Sequence, residues 1–393
     1  HLSIRRQRQM CIRDRSFRNI WSPQTGKAVP NQSLNANIGG ELKLGGIKIA
    51  SKLSGLYKNS FSSKEIERSV FRGGANGQIQ PQHRYNFNEF DQHVVTGVLA
   101  DFGTALFPMS RLNLNVLYNH DMSDETRLYT GWNDDRDKFI EDTRLRFVSQ
   151  TTLTTQLSGH HLFPLMKKSA MDWSATYSYG RRYEPDTREV QYERDPDGIF
   201  ELADEQQSGS RIFSDLDDHT LTGKMNWVFK PFDTIEDVSI KSGLTVVHRA
   251  RNSETRFFQF IPRDNISVDR TQAPEILFAP ENIHRDAFQL REETRPTDSY
   301  DAGQDIQAGY LMTDARLASR LMLNAGVRIE RSDQWVRSYE LFNPVDTPVR
   351  AELDNTDLLP AMNLTWSLQK SMNLRFALSQ TISPPRFPGV GSI

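Results

Sequence analysis

The sequence predicts an all-β protein that forms an antiparallel transmembrane β-barrel. Apolar and polar residues alternate with period two in about twelve stretches, as expected for strands with one apolar and one polar face. Short turns join these strands in pairs at one end, and long polar loops join the pairs at the other. This asymmetry is typical of barrels with short periplasmic turns and long extracellular loops.

The clearest unit is a hairpin within residues 356–387. Leu364 and Trp366 alternate with polar residues in its first half, and Leu374 and Phe376 do so in its second half. The break between the halves is only long enough for a tight turn. The pattern therefore predicts two antiparallel strands with one apolar face.

The same unit recurs along the chain. Predicted turns lie near Gly45, Phe107, Pro164, Pro231, Ser319 and Lys370. Predicted loops occupy residues 60–84, 121–138, 181–210, 262–300 and 338–355. Aromatic residues near the strand ends, such as Tyr118 and Tyr179, suit the two interfacial girdles of a membrane barrel.

Composition excludes several other classes of protein. The formal net charge of -2 over 393 residues gives no reason to expect a nucleic-acid partner. No stretch approaches the roughly 18 consecutive apolar residues of a membrane-spanning helix. Cys11 is the single cysteine of the sequence, so an intrachain disulfide and a cysteine-based metal cluster are both excluded.

Residues 1–15 do not fit the pattern of the remaining chain. They are rich in arginine and lack the apolar segment of a secretory signal. One interpretation is a basic targeting or nucleic-acid-binding arm. The favoured interpretation is a non-native tail, because RRQRQMCIRDR resembles a peptide that arises when sequencing-adaptor DNA is translated with a read. The native N-terminus would then be missing.

Several stretches resemble the barrel of TonB-dependent receptors of the outer membrane. They are LLPAMNLTWSL, MNLRFALSQTISPPRF and, at residues 310–330, YLMTDARLASRLMLNAGVRIE. WSPQTGKAVPNQSLNANIGGELKLGG resembles the passage in which the N-terminal plug of that family gives way to the barrel. One departure is PPRF at residues 384–387, where the family usually has Arg-Pro.

The resemblance implies a barrel of the 22-strand plugged type, of which about twelve strands form an incomplete part. It divides the chain into a non-native tail (1–15), a plug-to-barrel linker (16–33) and a partial β-barrel domain truncated at its C-terminus (34–393). It also implies a receptor that binds a bulky nutrient at its extracellular loops. Import would be driven by an inner-membrane TonB-type complex, acting through an N-terminal segment that is missing here. Outer-membrane lipid would surround the barrel, and no cofactor is implied.

Aromatic and arginine residues in the predicted loops are the natural contacts for such a ligand. The candidates are Trp132, Arg136, Phe257 and Arg263. They are predicted to form part of a rim at the loop end of the barrel.

Other groups of residues are weaker candidates for a metal, phosphate or catalytic site. Asp215, Asp217 and His219 would share one face of a strand and could bind a metal with Asp218, but a polar lumen or loop rim is the simpler interpretation. The aspartates of residues 134–137 lack the glycine and glutamate of a calcium loop. The glycine-rich residues 73–77 lack the context of a phosphate-binding loop. No serine has a recognisable nucleophile context, so no catalytic residue is assigned.

Three alternative functions remain open from the sequence. A passive porin or an adhesin would share the same architecture, and its complete gene would lack a plug. An outer-membrane barrel enzyme would need catalytic groups gathered at the loop rim. A soluble β-sandwich is disfavoured, because its two ends would not differ so strongly in loop length.

Overall fold

The structure is a computed structural model that describes residues 17–73, 79–164, 169–231, 238–263, 268–339, 348–369 and 371–383, with 385 and 387. The described residues form one antiparallel sheet of fourteen strands. They are β1 (Gln32–Leu44), β2 (Ile47–Gly73), β3 (Ile79–Phe107), β4 (Ser110–Asn133), β5 (Lys138–Phe163), β6 (Ser169–Arg194), β7 (Glu201–Leu202), β8 (Ser210–Phe229), β9 (Val238–Pro262), β10 (Phe288–Glu292), β11 (Tyr300–Ala318), β12 (Leu321–Tyr339), β13 (Pro348–Gln369) and β14 (Met372–Ser379).

Twelve long strands follow one another across the sheet in chain order, from β1 to β14. The other two are short additions, since β7 pairs with β6 and β10 pairs with β9. A helix, α1 (Pro274–Leu277), and two 3-10 turns, Pro280–Asn282 and Pro296–Asp298, lie between β9 and β11. The prediction of an all-β antiparallel sheet with about twelve strands is confirmed. Within the described residues the sheet is not closed, and β1 and β14 form its edges.

The short turns lie at one end of the sheet, as predicted. Phe107 pairs with Ser110, Ala318 with Leu321 and Gln369 with Met372. The β1–β2 turn is made by Gly45 and Gly46, at φ values of 56° and 85°. Positive φ at both central residues is the geometry of a type I′ hairpin, which favours glycine because it has no Cβ.

Gly46→Ala should destabilise the β1–β2 hairpin by about 1 kcal/mol, because an L-residue is strained at positive φ. Hydrogen exchange of the purified protein should show amides of β1 exchanging roughly fivefold faster, because this ratio corresponds to the same free energy. Gly40→Ala is the matched control, since a Cβ at Gly40 meets no atom within 4 Å. Equal protection in the two variants would mean that the positive φ of Gly46 does not limit the stability of the hairpin.

The sheet has one apolar face and one polar face. Leu53, Ala100 and Val116 lie side by side in register on the apolar face. Asp101 and Asn115 are paired on the polar face. In a transmembrane barrel the apolar face contacts lipid and the polar face lines the lumen. The sequence alternation therefore corresponds to a physical division of the sheet.

The strands are longer at the loop end than the sequence predicted. The predicted loop at 60–84 is wrong, because β2 continues to Gly73 and β3 begins at Ile79. The predicted loop at 121–138 is likewise mostly strand, and only residues 134–137 connect β4 to β5. Only about 9–11 residues of a strand are needed to cross a bilayer. Beyond the membrane both faces can meet water, so the alternation that identifies a strand disappears.

No helix within the described ranges is long and apolar enough to cross a membrane. Residues 1–15 and most of the glycine-rich stretch at 73–77 lie outside the described residues. The interpretations of these two segments are therefore not addressed by the structure.

The largest buried hydrophobic cluster lies at the loop end of the sheet, and we call it the Trp21 cluster. Its members are Trp21, Val190, Leu202, Phe258, Phe260, Leu277, Phe278, Phe288 and Leu290. The side chain of Trp21 is 1% exposed, and its ring centroid lies 4.8 Å from that of Phe278 and 5.7 Å from that of Phe260. The cluster joins residues preceding β1 to the long connection between β9 and β11.

Polar contacts fix the chain around Trp21. The carboxylate of Glu275 accepts hydrogen bonds from the backbone N–H groups of Trp21 (2.8 Å) and Ser22 (2.6 Å). The guanidinium of Arg211 lies over the rings of Phe17, at 4.6 Å, and Trp21, at 5.5 Å. Arg211 is itself buried and paired with Asp186, so its charge is compensated. These contacts hold the connection between β9 and β11 against the sheet.

Candidate ligand-binding site on the polar face

Three aromatic rings meet on the polar face, in the loop-end extensions of β3 and β4. Tyr85 and Phe87 are two residues apart on β3 and therefore share a face. Phe87 is paired in register with Tyr129 of β4, at a ring-centroid distance of 4.9 Å. The rings of Tyr85 and Tyr129 are 5.3 Å apart and edge-on. We call these three residues, with Arg127, the Tyr129 cluster.

Arg127 adds a positive charge to these rings. Its guanidinium carbon lies 5.9 Å from the ring centroids of both Phe87 and Tyr129, within cation–π range. A nitrogen of the same guanidinium is 3.6 Å from a carboxylate oxygen of Glu189 on β6. Arg127 thus joins the aromatic rings to a charged neighbouring strand.

Hydrogen bonds hold the phenol groups in place. Asn133 Nδ2 donates to the hydroxyl of Tyr85 at 2.9 Å, and Gln191 Nε2 donates to the hydroxyl of Tyr129 at 3.0 Å. Arg136, in the β4–β5 turn, donates to Gln191 Oε1 at 2.9 Å. Arg136 also pairs with two acidic side chains, Glu193 and Glu205. The rings therefore belong to a connected polar network, which restricts their orientation.

Asp142 is the most unusual charged group beside the cluster. It is paired in register with Tyr129 and Gln191, and its side chain is 1% exposed. Neither of its carboxylate oxygens has a hydrogen-bond partner among the described residues. Burial, reinforced by the nearby carboxylate of Glu189, raises the pKa of Asp142 to about 8. The group is therefore largely neutral at pH 7.

A cavity of about 340 Å³ opens beside these residues. It is lined by Arg68, Val70, His83, Tyr85, Phe87, Arg127, Tyr129, Glu189 and Gln207. Aromatic walls with a few convergent polar groups are the usual composition of a small-molecule site. The cavity can bind a ring through stacking and an anionic or hydrogen-bonding group through Arg68 and Arg127.

The structure places two of the predicted contacts, Trp132 and Arg136, on different sides of the sheet. Trp132 lies an even number of residues from Val116 on β4, so both side chains point to the same face. Trp132 packs on Phe139, with ring centroids 4.9 Å apart. It therefore lies on the continuation of the apolar face. Arg136 instead contacts residues beside the Tyr129 cluster. Of these two residues, Arg136 belongs to the hydrogen-bond network beside the cavity.

The other two predicted contacts lie at the end of β9. The backbone N–H of Phe257 donates to Thr294 Oγ1 at 3.0 Å, which ties the strand to the chain before β11. Arg263 follows the last residue of β9 and donates to the side chain of Gln289 on the neighbouring strand. Both residues belong to the long connection between β9 and β11 and the strand that supports it.

Sequence reasoning did not identify the Tyr129 cluster or Asp142. A signal was present, since Tyr85 and Phe87 place two aromatic rings at i and i+2 in a stretch with polar neighbours. The meeting of these rings with Tyr129 depends on the register between β3 and β4, which the sequence pattern does not specify.

The acidic residues near His219 lie on both faces of β8. Asp215, Asp217 and His219 are paired with Tyr183, Arg181 and Tyr179 and share the apolar face, which favours a loop rim over a polar lumen as their interpretation. Asp218 points to the opposite face. No group of three or more metal-ligating side chains is found among the residues that the structure describes.

A second concavity, with a volume of about 860 Å³, is lined mainly by residues of the apolar face. Its lining includes Tyr177, Tyr179, His219 and Trp335. Tyr118 and Tyr179 both pair with Leu153, which places these aromatic residues in one row across the strands. Such a row is typical of the membrane interface. The smaller polar-face cavity is therefore the better candidate for a ligand site, because this concavity lies beside the row of interfacial aromatic residues.

Together, the two-faced sheet and the one-sided turns are typical of a β-barrel of the outer-membrane type. Residues 68–392 match the profile of the family described as TonB dependent receptor-like, beta-barrel. The chain belongs to this family, as its resemblance predicted. The family is one of transport receptors of the bacterial outer membrane. A comparison with curated protein sequences gave no significant match.

Several solved outer-membrane receptors are similar to this chain at low sequence identity. The siderophore receptor PiuA from Acinetobacter baumannii is 12% identical, with a TM-score of 0.45 over 86% of this chain and 47% of its own. The alcaligin receptor FauA from Bordetella pertussis is 11% identical, with a TM-score of 0.38 over 86% of this chain and 41% of its own. For the ferric-catecholate import receptor Fiu from Escherichia coli the identity is 8% and the TM-score 0.29, over 88% of this chain and 68% of its own. The chain thus spans less than half the length of PiuA and FauA.

Proposed function

We propose that this chain is part of an active receptor that binds a bulky nutrient at the loop end of the barrel and imports it across the outer membrane. Energy would come from an inner-membrane TonB-type complex. The observation that supports this proposal most strongly is the family match over residues 68–392. The arrangement of aromatic rings and arginine on the polar face agrees with it, because a solute entering the lumen passes that face.

The proposal includes the domain organisation inferred from the sequence. Residues 1–15 are a non-native tail, residues 16–33 link a plug to the barrel, and residues 34–393 are part of the barrel. The complete gene should then encode a signal peptide, a plug domain and about ten further alternating strands. A gene without a plug would instead favour a passive porin or an adhesin.

Uptake provides the functional test. A host that lacks its own receptors would express the complete gene and be offered iron chelates, cobalamin, oligosaccharides or peptides, each as a limiting nutrient. One of them should support growth, and deletion of the host's TonB-type complex should abolish growth without abolishing binding to cells. Growth that persists after this deletion would contradict active transport and favour a passive porin.

Ligand contacts are proposed at two places. The Tyr129 cluster and Arg136 form the polar-face contact, while Trp132, Phe257 and Arg263 contribute to the outer rim. Deleting residues 268–292 tests the rim contribution of the β9–β11 connection, since unchanged affinity would exclude it.

Tyr129→Ala should weaken ligand binding about tenfold, which corresponds to about 1.4 kcal/mol, because the ring lies between Phe87 and Tyr85 in the cavity wall. The affinity of cells for the nutrient identified by the growth test is the measurement. Tyr118→Ala is the matched control, because Tyr118 lies on the apolar face of the same strand. Equal affinities of the two variants, at equal surface expression, would exclude the cavity as the binding site.

A further inference from the structure

A groove on the apolar face of the sheet lies between two sets of aromatic side chains. It is the concavity of about 860 Å³ described above, and we call it the outer groove. Tyr179 of β6 pairs with His219 of β8, which pairs with Ala250 of β9. Ala250 pairs with Gly303 of β11, which pairs with Trp335 of β12. One row across the strands therefore has two small residues between its aromatic residues.

The small residues give the outer groove its floor. A Cβ added to Gly303 would lie 2.5 Å from the indole nitrogen of Trp335, so the Trp335 ring lies over this glycine. The ring over β11 and His219 on β8 are thus about two strand spacings apart, roughly 10 Å, with Ala250 between them. This width leaves room for one saccharide ring in van der Waals contact with both walls.

Hydrogen bonds hold the aromatic wall on the β6 side in place. The Tyr177 hydroxyl and His219 Nδ1 are 2.9 Å apart, and the Tyr179 hydroxyl donates to Asp217 Oδ1 at 2.7 Å. The ring centroids of Tyr179 and His219 are 5.0 Å apart. This wall therefore presents aromatic surfaces whose orientation is restricted before any ligand binds.

A row of hydrogen-bonding side chains borders the outer groove on its loop side. Asn252 Nδ2 donates to Asp301 Oδ1 at 2.8 Å, and Arg337 pairs with the other oxygen of that carboxylate. Arg350, which pairs in register with Arg337, forms a salt bridge with Glu352. Both of these arginine charges are compensated. The rim therefore suits uncharged hydroxyl groups better than a phosphate.

The outer groove lies at the height at which the apolar band of a membrane barrel ends. Tyr179 lies ten residues beyond Ser169, the first residue of β6. At a rise of about 3.3 Å per residue and a tilt of about 40°, ten residues rise roughly 25 Å, which is the height of that band. Trp335 lies fourteen residues beyond Leu321, the first residue of β12, and is therefore higher. The groove faces the layer of lipid headgroups on the loop side.

We propose that the outer groove binds the saccharide headgroup of a glycolipid in the outer leaflet. The aromatic walls stack on the C–H faces of a sugar ring, while the carboxylate, amide and guanidinium groups of the rim bond its hydroxyl groups. The acyl chains of the same lipid lie on the apolar face below, where Met225 and Leu244 are exposed and paired in register. This site goes beyond the proposed transport function, because it is on the face that contacts lipid and not on the lumen face.

Native mass spectrometry tests the proposal with the protein expressed from its complete gene and purified in a detergent that removes bound lipid. The probes are the host's short-chain lipopolysaccharide and the lipid-free oligosaccharide released from it. The protein should bind both, and the intact glycolipid at least tenfold more tightly, because the acyl chains add apolar contact. Phosphatidylglycerol, which carries no sugar, should compete with neither probe. Equal affinity for the two probes, or competition by phosphatidylglycerol, would overturn the assignment to a membrane glycolipid.

Ala250→Phe should block the outer groove while both aromatic walls remain. The new ring takes the place of the sugar, so the affinity for each probe should fall about tenfold or more. Ala250 is exposed, so the larger side chain does not enter a packed core. Ala175→Phe is the matched control, because Ala175 is exposed on the apolar face of β6 and does not line the groove.

Trp335→Ala gives a second measurement, because it removes one wall and leaves the groove open. The affinity for each probe should again fall about tenfold, whereas Trp366→Ala, at an exposed tryptophan near the turn end of the same face, should bind as the wild type does. If Ala250→Phe and Trp335→Ala bind the probes as tightly as their controls, the outer groove is not a saccharide site. That result would leave the transport proposal untouched, since growth on a limiting nutrient tests it separately.

Discussion

Trp21→Ala should release the connection between β9 and β11 from the sheet. Removing a buried tryptophan ring costs about 3–5 kcal/mol, because the neighbouring side chains cannot fill the cavity that remains. Here the ring lies against Phe260, Phe278 and the buried guanidinium of Arg211. Hydrogen exchange by mass spectrometry is the measurement, and amides of residues 274–290 should exchange roughly a hundredfold faster.

Ile20→Ala is the matched control for this prediction. Ile20 precedes Trp21 in the chain but is 40% exposed, and its carbonyl, which accepts from Arg188, remains in the variant. Exchange in residues 274–290 should therefore match the wild type. If Trp21→Ala behaved like Ile20→Ala, the Trp21 cluster would not be what holds the connection.

Asp142→Asn should stabilise the protein in alkaline solution and have little effect in acid. The ordinary pKa of this side chain is 3.8, and in the folded protein burial raises it to about 8. Between these two values the native state keeps a proton that the unfolded chain has lost, so the free energy of unfolding falls as the pH rises. Above about pH 8 the loss is complete. Asparagine cannot ionise, so this loss is absent from the variant.

The size of the effect is on the order of a few kcal/mol, since each pKa unit corresponds to about 1.4 kcal/mol. Apparent melting temperatures in detergent, measured at pH 4 and pH 9, provide the test. Glu141→Gln is the control, because Glu141 is exposed on the opposite face of β5. A wild type and an Asp142→Asn variant that lose the same stability between the two pH values would contradict the assignment.

The sequence predicted the parts of the fold that depend on local patterns. Gly45 and Gly46 identify a turn because of their backbone freedom, and Leu364 and Trp366 identify a strand because lipid selects apolar residues on one face. Beyond the membrane this selection ends. Residues 60–73 and 79–84 therefore lie in strands although the sequence pattern predicts a loop there.

The sequence predicts the candidate site less completely than it predicts the fold. Arg136 was selected as a charged loop residue, and the structure places it beside Gln191 and the Tyr129 cluster. Trp132 is a candidate for the same rim but lies on the other face, because it is paired in register with Phe139 of β5 and packs on its ring. Contacts between strands that are distant in sequence, such as Tyr129 with Asp142, arise from the register and from burial, and residue type alone does not specify them.

The length of the strands determines how far the site stands from the lipid. β5 has 26 residues, of which about ten cross the bilayer, so its remainder extends roughly 50 Å along the strand. The paired strands therefore extend beyond the bilayer at the loop end. The Tyr129 cluster and the predicted rim residues lie on this extension. In the proposed receptor, a solute would meet this extension of the strands before it reached the lipid headgroups.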